Sequence, residues 1–280
     1  MNALDLIKKG SKKLKQRKIE TFLIDTELLL SKALNKKREK ILINLSQKVN
    51  DENISTFNEL IKRRSAKEPI AYILNQKEFW SKEFDVKNTL IPRPETELMI
   101  DKLCSIYQKK SISVLDMGTG SGCILISLLS ELSNSNGIGI DISLKAIKTA
   151  QINAKKHNIH NRLKFLTKSY EDLFHQKFDL VVSNPPYIKT SKLTSLDEDI
   201  KHYEPKIALD GGNDGLDQIK KVIYKAKYIL KVKGMLALEI GNEQYFKVSK
   251  ILLKNSFRIE YKIKDYKNNI RCLISSYNNY

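Results

Sequence analysis

Cysteine is scarce in this chain: Cys104, Cys123 and Cys272 are odd in number and far apart. Neither a disulfide framework nor a CxxC metal site can be assembled from them. No apolar run approaches the roughly 18 residues that a membrane span requires. The opening residues, Met1 to Lys9, lack the basic-then-apolar order of a signal peptide, so a cytoplasmic protein is expected. There is no internal repeat and no low-complexity linker. The histidines, His157, His160, His175 and His202, show no ligand spacing and are expected at the surface without a metal. Together these absences exclude membrane, secreted and zinc-ribbon classes.

What is present is an ordinary globular composition, 41% hydrophobic and 29% charged over 280 residues, enough for one large domain or two modest ones. Acids are outnumbered 32 to 50, a net charge of +18. Such an excess suits a polyanion-binding surface. However, 42 of the 50 basic residues are lysine, and Lys, Ile and Asn are all encoded by A·T-rich codons, so genome composition is the favoured explanation and a polyanion surface the alternative.

Residues 1–75 show helical periodicity. Ile19, Phe22, Leu23, Thr26, Leu30, Ala33 and Leu34 share one face, as do Ile54, Phe57, Leu60 and Ile61. With 17 basic and 9 acidic residues this segment carries +8. It reads as a docking domain or a structural cap. Residues 76–91 suit a hairpin linker, with Asn88 in a turn position. The segment Pro92-Arg93-Pro94-Glu95-Thr96-Glu97 signals a helix start, because proline fits the first turn and carboxylates suit the positive helix end.

From residue 111 strands and helices alternate, which implies a mostly parallel α/β sheet over 92–280. Strands are expected at 113–115, 138–140, 163–166, 178–182 and 235–240. Two late segments, 257–261 and 271–276, are expected to pair antiparallel.

Two motifs carry chemistry. Asp116-Met117-Gly118-Thr119-Gly120-Ser121-Gly122 lies between the first of these strands and its helix, where glycines bring backbone N–H groups close to a ligand. A dinucleotide fingerprint needs glycine at 123, where Cys123 stands. The spacing is instead the form seen in S-adenosylmethionine-dependent methyltransferases. Asp141, at the end of the next strand, is placed to accept both ribose hydroxyls. Ser183-Asn184-Pro185-Pro186-Tyr187 then ends the fourth strand. A planar –NH₂ nitrogen is a poor nucleophile because its lone pair is delocalised. The Asn184 carboxamide oxygen and the Pro185 carbonyl can accept its two N–H bonds, and they bind it more strongly as charge develops. Tyr187 is expected to offer a flat face to the planar target. Glutamine, adenine, cytosine and guanine amines all satisfy this logic.

With these residues in view the sequence resembles the bacterial peptide chain release factor glutamine methyltransferases (HemK/PrmC). The resemblance is carried by 68–73, 78–80, 91–97, 115–122, 183–188 and 203–209. It implies a small N-terminal helical domain and a seven-stranded Rossmann-like methyltransferase domain. The cofactor it implies is S-adenosyl-L-methionine, and the substrate is the glutamine of the Gly-Gly-Gln loop in class I peptide chain release factors. On this resemblance Gly118, Thr119, Gly120, Ser121 and Gly122 line the donor, Asp141 holds its ribose and Tyr170 packs on adenine. Ser169 stands where family members carry an acid. Asn184 touches donor and glutamine, Pro185, Pro186 and Tyr187 shape the glutamine slot, and Arg93 and Glu97 lie near its mouth. A monomer needing no nucleic acid or membrane is expected. A ribosomal-protein glutamine and a nucleic-acid base amine are the alternatives. Acids at 197, 198, 199, 204 and 210 argue against a phosphate track.

Overall fold

The chain, described over residues 1–172 and 176–278 of a computed structural model, divides into two units. The first comprises Met1–Asn75 with Asp197–Tyr203, and the second Gln76–Leu196 with Glu204–Tyr280.

The first unit is helical: α1 (Ala3–Gln16), α2 (Phe22–Leu34), α3 (Arg38–Ile43), α4 (Asp51–Ser65) and α5 (Ile70–Leu74). Asn2 opens α1 with a capping box, its side chain accepting the Asp5 amide. Leu6, Leu14, Leu29, Leu30, Phe57 and Ile61 form its core. Gly10 lets three helices approach, since a Cβ there would meet Thr26, Phe57 and Ile61 at 2.7–3.0 Å. The buried Arg64 and Asp25 side chains pair at 2.7 Å, which satisfies two charges that burial would otherwise penalise. Tyr203 donates its hydroxyl to the Ala66 carbonyl, so the later segment is part of this unit.

The second unit begins with a hairpin, β1 (Gln76–Phe79) and β2 (Lys82–Asp85). Asn88 lies in a separate turn just after β2, at φ 60°, as expected. The hairpin's own turn is Trp80-Ser81, both with positive φ, 52° and 53°. That backbone costs about 1–2 kcal/mol per residue without glycine. Trp80 is held there by two carboxylates: its amide donates to Glu97 and its indole N–H to Glu131. Hydrogen bonds to charged groups are worth roughly 1.5–3 kcal/mol each, which offsets the strain.

The helix α6 (Pro94–Tyr107) then precedes alternating strands and helices: β3 (Ser113–Met117), α7 (Cys123–Glu131), β4 (Asn136–Asp141), α8 (Leu144–Lys156), β5 (Leu163–Thr167) and β6 (Phe178–Ser183). A short helix α9 (Glu198–Tyr203) belongs to the first unit. Back in the second come α10 (Asp217–Ile229), β7 (Leu230–Glu239), α11 (Tyr245–Lys254), β8 (Phe257–Lys264) and β9 (Ile270–Tyr277). The seven strands run β5-β4-β3-β6-β7-β9-β8; β9 is antiparallel to both neighbours and the other pairings are parallel. Alternate side chains feed two cores. Val114, Leu180 and Ala237 meet α6, α7 and α8, while Leu115, Val181 and Leu236 meet α10 and α11. Chain order reverses between β3 and β6, the crevice where open α/β sheets bind ligands.

Helix α8 also holds β2. Thr149 donates to the Lys87 carbonyl, Asn153 exchanges two bonds with Asp85, and the Nε2–H of His157 donates to the Glu83 carbonyl. Four helical residues rise about 6.0 Å and two strand residues about 6.6 Å. Side chains at i, i+4 and i+8 therefore meet backbone groups at every second strand residue, as a neighbouring strand would. His157, expected at the surface, is half-buried against Phe84 for this reason. His160 and His202 are exposed; His175 lies outside the described residues.

Candidate active site

A cavity of about 370 Å³ opens at the β3/β6 crevice. Of the residues singled out from the sequence, Asn88, Gly118, Gly120, Asp141, Ser169, Tyr170, Asn184 and Pro186 line it. Leu90, Pro205, Ile207 and Gln218 are among its other lining residues. Leu90 and Gln218 had no local signature, whereas Pro205 and Ile207 fall in the 203–209 segment.

The glycine turn is a backbone device. Gly118, Gly120 and Gly122 take φ of +79°, +55° and +78°, which only glycine adopts freely. The Gly118 and Thr119 amides both donate to the Ile140 carbonyl at 2.9 Å, which binds the turn to β4. A Cβ on Gly118 would stand 2.7 Å from the Tyr170 hydroxyl. At Gly120 a Cβ would meet nothing within 4 Å and would stand in open space beside the cavity. Thr119, Ser121 and Gly122 do not line the cavity. Thr119 donates to Asp116 at 2.7 Å, Ser121 gives its carbonyl to Asn153 at 2.8 Å, and Gly122 opens α7.

Two acids lie beneath this turn. Asp141 accepts the Gly120 amide on one oxygen and the Ser143 amide on the other, at 3.0 and 2.9 Å. Each carboxylate oxygen retains a further lone pair for a ligand hydroxyl. Burial raises its pKa, against those same amide bonds. Asp116 is fully buried, and desolvation pushes it to about 7 with the Asp141 charge adding to the effect. Burial pushes the Cys123 thiol up to about 12, which leaves it protonated and without a nucleophilic role.

Opposite, Asn184 follows β6 directly. Ser183 is fixed by donating to the Met117 carbonyl at 2.6 Å. Pro185 is buried behind the lining, while Pro186 reaches it. Tyr187, expected to face the target, is not among the lining residues. Its hydroxyl lies 3.3 Å from Glu239 and 3.0 Å from an Arg271 nitrogen, and the Arg271 guanidinium lies 5.6 Å from its ring centre.

Arg93 and Glu97, expected near the mouth, are also turned to structural partners. Arg93 pairs with the buried Glu204, which also accepts the Ile91 amide, so the 91–97 and 203–209 segments are joined. Glu97 holds Trp80. Ser169 accepts the Glu171 amide and donates its own amide to Asp172. Glu171 reaches the cavity rim, paired with Lys221 at 3.3 Å.

Known proteins resemble both parts of the chain. Residues 5–74 match the PrmC N-terminal domain and residues 108–257 match the methyltransferase domain family. The chain is 42% identical over 272 residues to the bifunctional methyltransferase of Rickettsia prowazekii (strain Madrid E), covering 89% of this chain and 52% of that one. It thus spans about half the length of that relative. It is also 42% identical over 272 residues to the release factor glutamine methyltransferase of Buchnera aphidicola subsp. Schizaphis graminum (strain Sg), covering 97% of this chain and 98% of the other. Among solved structures, the ribosomal protein L11 methylase from Lactobacillus delbrueckii subsp. bulgaricus superposes with a TM-score of 0.51 at 21% identity, over 68% of this chain and 81% of that one. This last likeness is one of fold. Near-complete mutual coverage at 42% identity, with both domain matches, places the chain in the release factor glutamine methyltransferase family.

Proposed function

We propose that the protein methylates the side-chain amide nitrogen of the glutamine in the Gly-Gly-Gln loop of class I peptide chain release factors, using S-adenosyl-L-methionine. The observation that carries this reading is the placement of Asn184 in one cavity with the glycine turn and Asp141. The cavity suits that donor. Gly120 leaves a place that any side chain would fill, and Asp141 keeps acceptor capacity for two hydroxyls. Tyr170 adds an aromatic wall, and about 370 Å³ falls in the range of cofactor sites.

Bound S-adenosylmethionine supplies an electrophilic sulfonium methyl group. Asp141 would hold the ribose, the Gly118 and Gly120 backbone would border the amino-acid part and Tyr170 would pack on the adenine. The Asn184 oxygen and the Pro185 carbonyl accept the two N–H bonds of the glutamine amide, which orients the nitrogen. Both acceptors bind more strongly as that nitrogen gains positive charge, and this difference lowers the barrier. Methylation makes the nitrogen acidic, so its proton leaves to solvent and no dedicated base is needed. The helical unit, with +8 over residues 1–75, docks the protein substrate in this reading.

The test is incubation with labelled S-adenosylmethionine and, separately, release factor, ribosomal protein and duplex DNA, with the label mapped by mass spectrometry. Label on the Gly-Gly-Gln glutamine is expected. Label confined to ribosomal protein or to DNA would replace the substrate while keeping the amine chemistry.

A further inference from the structure

Glu239 ends β7 on the face that meets α6, and its carboxylate is 2% exposed. One oxygen accepts the Thr96 hydroxyl at 2.5 Å and the other lies 3.3 Å from the Tyr187 hydroxyl. Thr96 belongs to the 91–97 segment and Tyr187 to the Asn-Pro-Pro-Tyr segment, so one buried carboxylate joins the two motifs whose pairing is distinctive in the sequence. The donor order is consistent throughout: Arg271 donates to the Tyr187 oxygen and Tyr187 donates to Glu239. Burial raises the Glu239 pKa, while Arg271, Thr96 and Tyr187 act against that rise.

The main chain of Tyr187 is held as well. Gln244 donates to its carbonyl at 3.0 Å. A Cβ on Gly211 would come within 2.8 Å of its Cα, and one on Gly241 within 3.1 Å of its ring. The next amide, Ile188, donates to the Leu209 carbonyl. On the other side, Ser183 is pinned to Met117. Between these fixed ends lie Asn184 and two prolines, whose φ angles the pyrrolidine rings lock. A displacement of Tyr187 therefore passes to Asn184 with little to absorb it.

We propose that Glu239 is a positioning residue: acting through the Tyr187 hydroxyl, it sets the place of the Asn184 and Pro185 acceptors. This rests on the methyl-transfer reading above and assigns Tyr187 to anchoring the slot. Glu239 touches no reacting atom, so its effect falls on turnover and leaves donor affinity unchanged.

The experiment compares wild type, Tyr187→Phe, Glu239→Gln and the double variant. It measures kcat and KM on a purified release factor, the Kd of S-adenosylhomocysteine by calorimetry, and amide exchange at positions 187 and 188. Tyr187→Phe removes one hydroxyl and is the primary variant should Glu239→Gln fold poorly. A misplacement of order 1 Å costs roughly 100-fold, so a partial release is expected to lower kcat by about 10-fold or more. The Kd should stay within about twofold and exchange at 187 and 188 should speed up. The double variant should lose no more than the worse single one. An unchanged kcat in Tyr187→Phe, or additive losses in the double variant, would overturn the proposal. Should wild type leave the release factor unmethylated, the functional reading fails, and exchange then decides the anchor: faster exchange in Tyr187→Phe upholds it and unchanged exchange removes it.

Discussion

The two walls of the cavity are held in opposite ways. The glycine turn is largely self-contained. Thr119 reaches Asp116 three residues away, Gly122 donates to Thr119, Ile140 and Asp141 sit at the end of the adjoining strand, and Asn153 of α8 holds the Ser121 carbonyl. The Asn-Pro-Pro-Tyr wall has almost nothing of this kind. Tyr187 is tied to Glu239, Gln244 and Arg271, which are 52, 57 and 84 positions away. A wall made by backbone torsions is available as soon as its strand pairs. A wall hung from distant side chains takes shape only when β7, β9 and α11 are in place. The first is a rigid surface whose Gly118, Thr119, Gly120 and Gly122 amides are already paired, and the second can be tuned by residues that never meet a substrate.

Substitution should separate the walls. The largest effect is expected from Asn184→Ala, which removes one amide acceptor and should slow methyl transfer by roughly 10²–10³, with a smaller loss of donor affinity. A nearly unchanged rate would discard the assigned chemistry. On the other wall, Gly118→Ala forces a Cβ to within 2.7 Å of the Tyr170 hydroxyl at φ +79°. The backbone alone costs about 1–2 kcal/mol, so the Kd of S-adenosylhomocysteine should rise about tenfold by calorimetry. If both changes moved rate and affinity alike, the division of labour would be lost.

Asn153→Ala probes the support beneath the first wall. The side chain makes three bonds, two with Asp85 and one with the Ser121 carbonyl, and is itself fully buried. Stranding those backbone groups costs about 1–3 kcal/mol, which calorimetric melting should report as a midpoint several degrees lower.

A last effect concerns pH. Asp116 is raised to about 7 in the folded chain, against about 4 when unfolded. The folded state therefore holds that proton more tightly. The associated stability is fully present below about pH 4 and is lost as pH rises to about 7. Urea midpoints at pH 5 and pH 8 should differ more in wild type than in Asp116→Asn. Equal differences would show that Asp116 ionises normally.

Much of the catalytic unit could be read along the chain. The glycine turn announces itself because positive φ has few alternatives to glycine. The βα alternation shows because burial on two faces leaves apolar runs of strand length between helical periods. All six prolines, at 69, 92, 94, 185, 186 and 205, fall within the segments that carry the family resemblance. The hairpin was legible but its turn was not. Trp80-Ser81 lacks the glycine or asparagine that usually marks such a turn, and carboxylates from two helices hold it. Glu97 and Arg93 were placed near the mouth by the family resemblance, and in the fold they are bonded to Trp80 and Glu204, partners that the sequence did not indicate.

Torsional preference and burial period act over a few residues, so composition and order along the chain suffice for the helices, the strand sequence, the glycine cradle and the placing of Asn184 after a strand. The partner of a buried polar group is chosen by three-dimensional proximity and leaves no periodic trace. Hence the Thr149-Asn153-His157 ladder on β2, the anchoring of Tyr187 and the junction of two motifs at Glu239 exist only in the folded sheet. There residues 96, 239, 187 and 271 are linked one to the next by hydrogen bonds.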